Sequence, residues 1–275
     1  MTTRPDPFGT TDRWPAAHVA VGAVVRSGTI AAHGDLDRVF PLASVTKVLT
    51  AATMLIAIEE EIIDLDEPWG PADATVRHLL AHASGLAAND GSVLAPPGTR
   101  RVYSNAGFDL LGELITQRAG IPFAQYLHEA LTEPLGMAST TLDGSPAHGA
   151  RSTLHDLLAF GHEILAPTLL ADETLALARA PAYPDLAGVL PGFGRQDPNL
   201  WGLGFEIRGQ KEPHWTGTTC SPATFGHFGR SGTFFWVDPE VDLACVCLTD
   251  CDFGAWALER WPALSDAIRT RFGPG

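Results

Sequence analysis

Strand-like texture lies at both ends of this chain and helix-like texture lies between them. A Val-rich run from His18 to Val25 and a second run from Thr29 to His33 read as two short strands joined by a turn at Arg26-Ser27-Gly28. Gly202 to Arg208, Ala223 to Phe228, Thr233 to Val237 and Leu243 to Thr249 read as four more, with Asp238-Pro239 as a turn. Strands supplied by both termini pair most economically in one sheet, so the intervening helices must flank it or form an insert. The expectation is an α/β fold of the α+β sandwich type. An antiparallel sheet is built from both chain ends with flanking helices, a mainly helical region is inserted, and the active site lies in the cleft between. In numbers, 1–16 is extended or poorly ordered because of Pro5, Pro7 and Pro15, 17–62 with 200–275 forms the α/β part, and 63–199 is the helical insert.

Inside the insert, Thr75 is placed to cap a helix through Leu80 that ends at Ser84-Gly85. Ala106 to Arg118, Pro122 to Leu131 and Asp172 to Ala180 carry helical patterns, and Thr153-x-x-Asp156 resembles a capping box for a helix to Ile164. Residues 181–200 are rich in Pro and Gly and read as a loop bordering the site. Pro262 to Phe272 closes the chain as an amphipathic helix.

The chemistry concentrates where the first strands give way to the first helix. Ser44 and Lys47 are three residues apart there, so a hydroxyl and an amine share one helical face. Val45, Val48, Leu49, Ala52, Leu55 and Ile56 form an apolar stripe that anchors this helix in the core, out to about Glu61. A hydroxyl needs a neighbouring base to become a nucleophile, and a desolvated lysine is such a base. Lys47 and Lys211 are the only lysines, which makes a chance Ser-x-x-Lys spacing improbable.

Composition narrows the partners. With 45% hydrophobic and 18% charged residues the chain is globular, and a formal net charge of −14 without any basic run argues against nucleic acid or an anionic membrane surface. The N-terminus lacks an apolar signal core, so with Met1 as start the expected location is cytoplasmic. Cys220, Cys245, Cys247 and Cys251 then read as thiols. Their spacing fits no familiar metal pattern, and neither metal nor cofactor is called for. No carboxylate pair stands out as a dyad. His78, His82 and Ser84 are accounted for by packing and helix termination, and Trp201 and Phe228 by an aromatic core that also borders an acyl pocket.

Read in order, Ser44-Val45-Thr46-Lys47, Tyr103-Ser104-Asn105 and His227-Phe228-Gly229 resemble the three motifs of the β-lactamase-like serine hydrolases, the superfamily of penicillin-binding proteins and serine β-lactamases. The tyrosine points to the class C β-lactamase, D-aminopeptidase and family VIII esterase branch. Flanking segments are similar too: His78-Leu79-Leu80-Ala81-His82-Ala83-Ser84-Gly85-Leu86, Pro97-Gly98-Thr99 and Glu133-Pro134-Leu135-Gly136-Met137. The resemblance implies that Ser44 forms an acyl-enzyme and that Lys47 and Tyr103 share the base work, with a cationic Lys47 lowering the phenol's pKa. Asn105 would meet the substrate or hold Lys47. The oxyanion hole would be the N–H groups of Ser44 and Arg230, and Gly229 would keep the strand edge open for substrate. Having His227 and Phe228 in place of lysine and threonine weakens carboxylate recognition. The implied function is therefore hydrolysis of a small ester or amide, esterase-like. D-alanyl or D-amino-acid peptidase or weak β-lactamase activity, and a non-turnover ligand sensor, are the alternatives.

Overall fold

The computed structural model describes residues 6–273. Strands β1 (Val19–Val25) and β2 (Gly28–His33) open the fold, and β3 (Phe40–Pro41) leads through a 3-10 turn, Ala43–Val45, into helix α1 (Thr46–Glu59). Helices α2 (Val76–Leu80), α3 (Asn105–Ala119) and α4 (Phe123–Leu127) follow, then the short strands β4 (Thr141–Leu142) and β5 (Ala150–Ser152). After α5 (Leu154–Leu165) and α6 (Asp172–Arg179) come β6 (Gly188–Leu190), β7 (Gly194–Gln196), β8 (Glu206–Ile207), β9 (Phe225–Gly229), β10 (Thr233–Asp238) and β11 (Leu243–Thr249), and α7 (Ala255–Phe272) ends the chain. The main sheet has the order β2-β1-β11-β10-β9-β8 and is antiparallel throughout, so both chain ends do build one sheet.

β1 and β11 pair from Val19↔Thr249 to Val25↔Leu243 in the middle of the sheet. Covered on both faces, they are apolar along their length instead of alternating. On one face α5 packs closely, because a Cβ at Gly22 would lie 2.8 Å from Leu158 Cδ1. On the other face α7 buries Trp261, Leu264 and Ile268 against Phe234, Trp236 and Cys245. That burial carries α7 back to Ala255, beyond the Pro262 start expected from sequence: Ala257 and Trp261 gain enough by being enclosed to outweigh the backbone donor that Pro262 lacks.

Helix α1 departs from the single buried stripe. From Thr46 to Ala57 every residue is buried, polar ones included, so the helix is a central strut between the sheet and the remaining helices. Residues 6–16 are not loose either. Phe8, Thr11 and Trp14 are buried, with Trp14 against Trp256 and Phe8 against Phe272 of α7, whereas 1–5 lie outside the described residues. Thr153 caps α5 by accepting from Asp156 N, but the Asp156 carboxylate turns instead to Ser139 N and the Thr140 hydroxyl. Among the described residues no helix is long and apolar enough to cross a membrane.

Two buried cations hold the walls of the cleft. Arg101 donates from Nε to Asn199 O (3.0 Å), from Nη1 to Ala81 O, and from Nη2 to Ala182 O (2.8 Å) and Tyr183 O (2.9 Å). It thereby fastens the 181–200 loop, which contains the β6–β7 hairpin, to the segment after α2. With only carbonyls around it, burial pushes the Arg101 pKa down to about 10. Lys211 instead pairs with Glu206, whose Oε2 also accepts from His214 Nε2 and Trp215 Nε1, each at 2.9 Å. These donors hold the Glu206 carboxyl well below its usual range against the penalty of burial.

Glu206→Ala leaves the Lys211 ammonium buried without its anion and is expected to lower unfolding stability by about 3–5 kcal/mol, read from urea denaturation. A loss below about 1 kcal/mol would contradict this role. Because Glu206 is depressed in the folded state, its contribution is present above its unfolded pKa and fades as pH falls below that value. The wild-type and variant stabilities should therefore converge in acid.

Candidate active site

Ser44 sits in the 3-10 turn at the head of α1, immediately after Ala43, whose φ of 45° lies in the left-handed region. An L-residue costs of order 1 kcal/mol there, so the turn must be held by its surroundings. Leu42 N donates to Ala150 O (2.9 Å) and Leu42 O accepts from the Thr233 hydroxyl (2.9 Å). Ser231 Oγ donates to Pro41 O (2.7 Å), so the β9–β10 turn is tied to the approach to Ser44 from two points.

Lys47 lies one turn along α1 and is wholly buried. Its Nζ is 2.7 Å from Asn105 Oδ1, 2.9 Å from Ala147 O and 3.4 Å from Ser44 Oγ. Neither of the two closest partners carries a charge. Burial therefore dominates and pushes the Lys47 pKa down to about 7, with Asp109 acting in the opposite sense. In the neutral amine two N–H bonds serve the two carbonyl oxygens, and the lone pair remains for the Ser44 side.

Tyr103 donates its hydroxyl to Ser44 Oγ at 2.8 Å. Its electrostatics differ from expectation. Burial raises the phenol's pKa and the bond to Ser44 only partly offsets this, so Tyr103 is a protonated donor, not a phenolate sustained by a nearby ammonium. The Lys47 ammonium position lies 4.8 Å over the Tyr103 ring. Asn105 is not the cap of α3. Ser104 is, through Gly107 N (3.0 Å), which frees the Asn105 amide to accept from Lys47 and donate to Asn89 Oδ1 (2.8 Å).

His82, assigned from sequence to packing and helix termination, brackets this segment. Its carbonyl accepts from Val102 N (2.9 Å) and its Nδ1 from Ser104 N (3.1 Å), with the ring 4.7 Å from that of Tyr103. His227 is buried and donates from Nδ1 to Phe228 O (2.7 Å), which leaves Nε2 as an acceptor with no partner among the described residues. Burial and the Lys47 charge lower its pKa to about 3, so it is neutral. β8 pairs only with Phe225 and Gly226, so the β8-side edge of β9 from His227 to Gly229 is unpaired.

A cavity of about 340 Å³ opens over Ser44 and Tyr103, walled by Leu190, Trp201, His227, Phe228 and Phe253 with Arg230 on its lining. Ser44, Tyr103, His227, Phe228 and Arg230 thus border one space, while Lys47 and Asn105 lie behind Ser44. The Cys245 and Cys247 thiols are buried and pushed up by burial, and no group of His, Cys, Asp or Glu among the described residues is placed to hold a metal ion.

Comparison with known sequences gives a family match, described as beta-lactamase, over residues 15–267. The chain belongs to the β-lactamase family. It is 51% identical to a protein of Mycobacterium bovis solved as a β-lactamase, with a TM-score of 0.97, covering 98% of this chain and 100% of that one. Among curated relatives it is 27% identical to the D-alanyl-D-alanine-carboxypeptidase/endopeptidase AmpH of Escherichia coli (strain K12), over 41% of this chain and only 39% of that protein's length. It is 26% identical to the esterase EstB of Burkholderia gladioli over 86% of this chain and 83% of that protein. EstCE1, described as a hydrolase with promiscuous acyltransferase activity, shares the fold at a TM-score of 0.81 and 19% identity, covering 94% of this chain and 95% of that one.

Gly229 has a different task here from the one expected. A Cβ on it would meet Leu42 O at 2.3 Å and Thr233 Oγ1 at 2.5 Å, so its bareness lets β9 close on the Ser44 turn instead of leaving room for a ligand. Gly229→Ala is expected to lower Tm by at least about 4 °C, read by calorimetry. Gly9→Ala, at an exposed position whose Cβ comes no nearer than 3.9 Å to a neighbour, Asp6 Oδ2, should change it by no more than about 1 °C. Equal melting of the two variants would refute the close-approach role of Gly229.

Proposed function

We propose that the protein is a serine hydrolase that cleaves a small carboxylic ester or amide through an acyl-enzyme on Ser44. The observation that carries this reading is the placement of Ser44 Oγ between the Tyr103 hydroxyl at 2.8 Å and a buried amine at 3.4 Å, the pKa of which is lowered to about 7. A base poised near ambient pH combines a populated free-base form with useful proton affinity. As Ser44 Oγ bonds to the substrate carbonyl carbon, its proton passes to Lys47. Tyr103 gives its own proton to the leaving oxygen or nitrogen as that bond breaks, and is restored from Lys47. Water then attacks the acyl carbon by the same route in reverse. The N–H groups of Ser44 and Arg230 serve as the oxyanion donors, a reading supported by the ties at Pro41 and Leu42 that hold the β9–β10 turn to the approach to Ser44.

The groups come from both proposed parts of the chain. Ser44, Lys47 and the His227–Arg230 strand end belong to 17–62 with 200–275, and Tyr103 and Asn105 belong to the 63–199 insert. The cavity favours an apolar acyl group, since Leu190, Trp201, Phe228 and Phe253 wall it, His227 offers an acceptor instead of a cation, and the Arg230 guanidinium on the lining belongs to a solvent-exposed residue. An ester is therefore preferred to a carboxylate-bearing D-alanyl peptide or β-lactam, and the likeness to EstB along most of both chains supports this choice. The match to AmpH keeps D-alanyl peptidase activity as the second reading.

With p-nitrophenyl butyrate, Ser44→Ala is expected to abolish turnover and Tyr103→Phe to lower kcat/KM by about 10²–10⁴-fold. Wild-type kcat/KM should rise with pH through about 7 as Lys47 loses its proton, then level off. One stoichiometric burst with a stable Ser44 adduct would instead make the protein a sensor. Absence of Ser44-dependent turnover on esters, D-amino-acid amides and β-lactams alike would end the hydrolase reading.

A further inference from the structure

Lys47 is held by more than the residue that touches it from α3. Asn105 and Asp109 are four residues apart on α3 and so share a face. Asn105 reaches the amine directly. Asp109 instead accepts, at Oδ1, the hydroxyl proton of Ser145. The same Ser145 oxygen accepts from Ala147 N at 3.0 Å, which folds 145–147 into a tight loop. The Ala147 carbonyl at the end of that loop is the acceptor 2.9 Å from Lys47 Nζ. Pro146 O, in the middle, accepts from Thr50 Oγ1 at 2.7 Å, one turn beyond Lys47 on α1. The loop is therefore pinned to α3 by Asp109 and to α1 by Thr50.

We propose that Asp109 is a positioning residue for the Ser44–Lys47 pair, acting through Ser145 to fix the Ala147 carbonyl that aims the Lys47 amine at Ser44. This rests on Lys47 serving as the base. Two consequences separate its charge from its hydrogen bond. As an anion near a buried amine, Asp109 favours the ammonium form. The other groups around Lys47 add no opposing anion: Tyr103 stays a protonated phenol, and burial holds His82 and His227 neutral. As an acceptor for Ser145, Asp109 sets the loop, and an amide oxygen at the same place keeps that bond while losing the charge.

The test compares pH profiles of kcat/KM for p-nitrophenyl butyrate in the wild-type protein, Asp109→Asn and Ser145→Ala, with melting temperature measured beside them. Asp109→Asn should move the acid limb to lower pH by at least about half a unit, because Lys47 loses the anion that favours its charged form. Ser145→Ala keeps the charge and should leave the limb in place while lowering the plateau by about tenfold, because the Ala147 carbonyl is no longer fixed. A limb in Asp109→Asn that is unmoved or shifted upward would overturn the proposal. So would a Ser145→Ala plateau equal to that of the wild type, a result that still decides the matter if Asp109→Asn does not fold. Wild-type turnover that does not depend on Ser44 would count against the hydrolase reading itself, a result distinct from these.

Discussion

The site depends on the burial of an amine without an anion against it. Taking an ammonium group out of water disfavours its charged form, and the fold answers this differently at its two lysines. Lys211 is paired with the Glu206 carboxylate and becomes part of a wall. Lys47 is given the amide oxygen of Asn105 and the backbone oxygen of Ala147, which suit either protonation state, and its pKa falls to about 7. An amine whose free-base form is populated near pH 7, 3.4 Å from a serine hydroxyl, is the consequence. The enclosure of α1 on all sides serves this end, because a helix with one face in water would leave the amine solvated.

The remaining architecture keeps that arrangement aligned. The left-handed turn at Ala43 is strained by itself, and bonds from Ala150, Ser231 and Thr233 hold it against β5 and the β9–β10 turn. Arg101 and Glu206 do the same for the cavity walls: Arg101 joins loops distant in sequence, and Glu206 gathers Lys211, His214 and Trp215 of the segment that follows it. His82 fixes the backbone on both sides of Tyr103 and so sets the height of the phenol over Ser44.

Much of this was legible in the residues. The six strands of the main sheet announce themselves by short apolar runs between turn signals, and Ser44, Tyr103, His227, Phe228 and Arg230 border one cavity, with Lys47 and Asn105 behind Ser44. The Asp109–Ser145 bond and the Arg101 bond to Asn199 were not legible, since their partners are 36 and 98 residues apart and no periodicity links them. The sign of the shift at Tyr103 also needed the structure, because an ammonium nearby and burial act in opposite directions and only geometry shows that burial dominates. Gly229 illustrates the same limit: a bare strand position suits a ligand or another segment of chain, and here Leu42 O occupies the space.

The most direct measurement is the titration of Lys47 itself. Because the chain has two lysines, protein labelled with ε-¹³C-lysine gives two signals, and Lys211→Arg assigns them. The account predicts that the Lys47 signal titrates near pH 7. A Lys47 signal that keeps its ammonium position up to about pH 10, the ordinary lysine range, would contradict it.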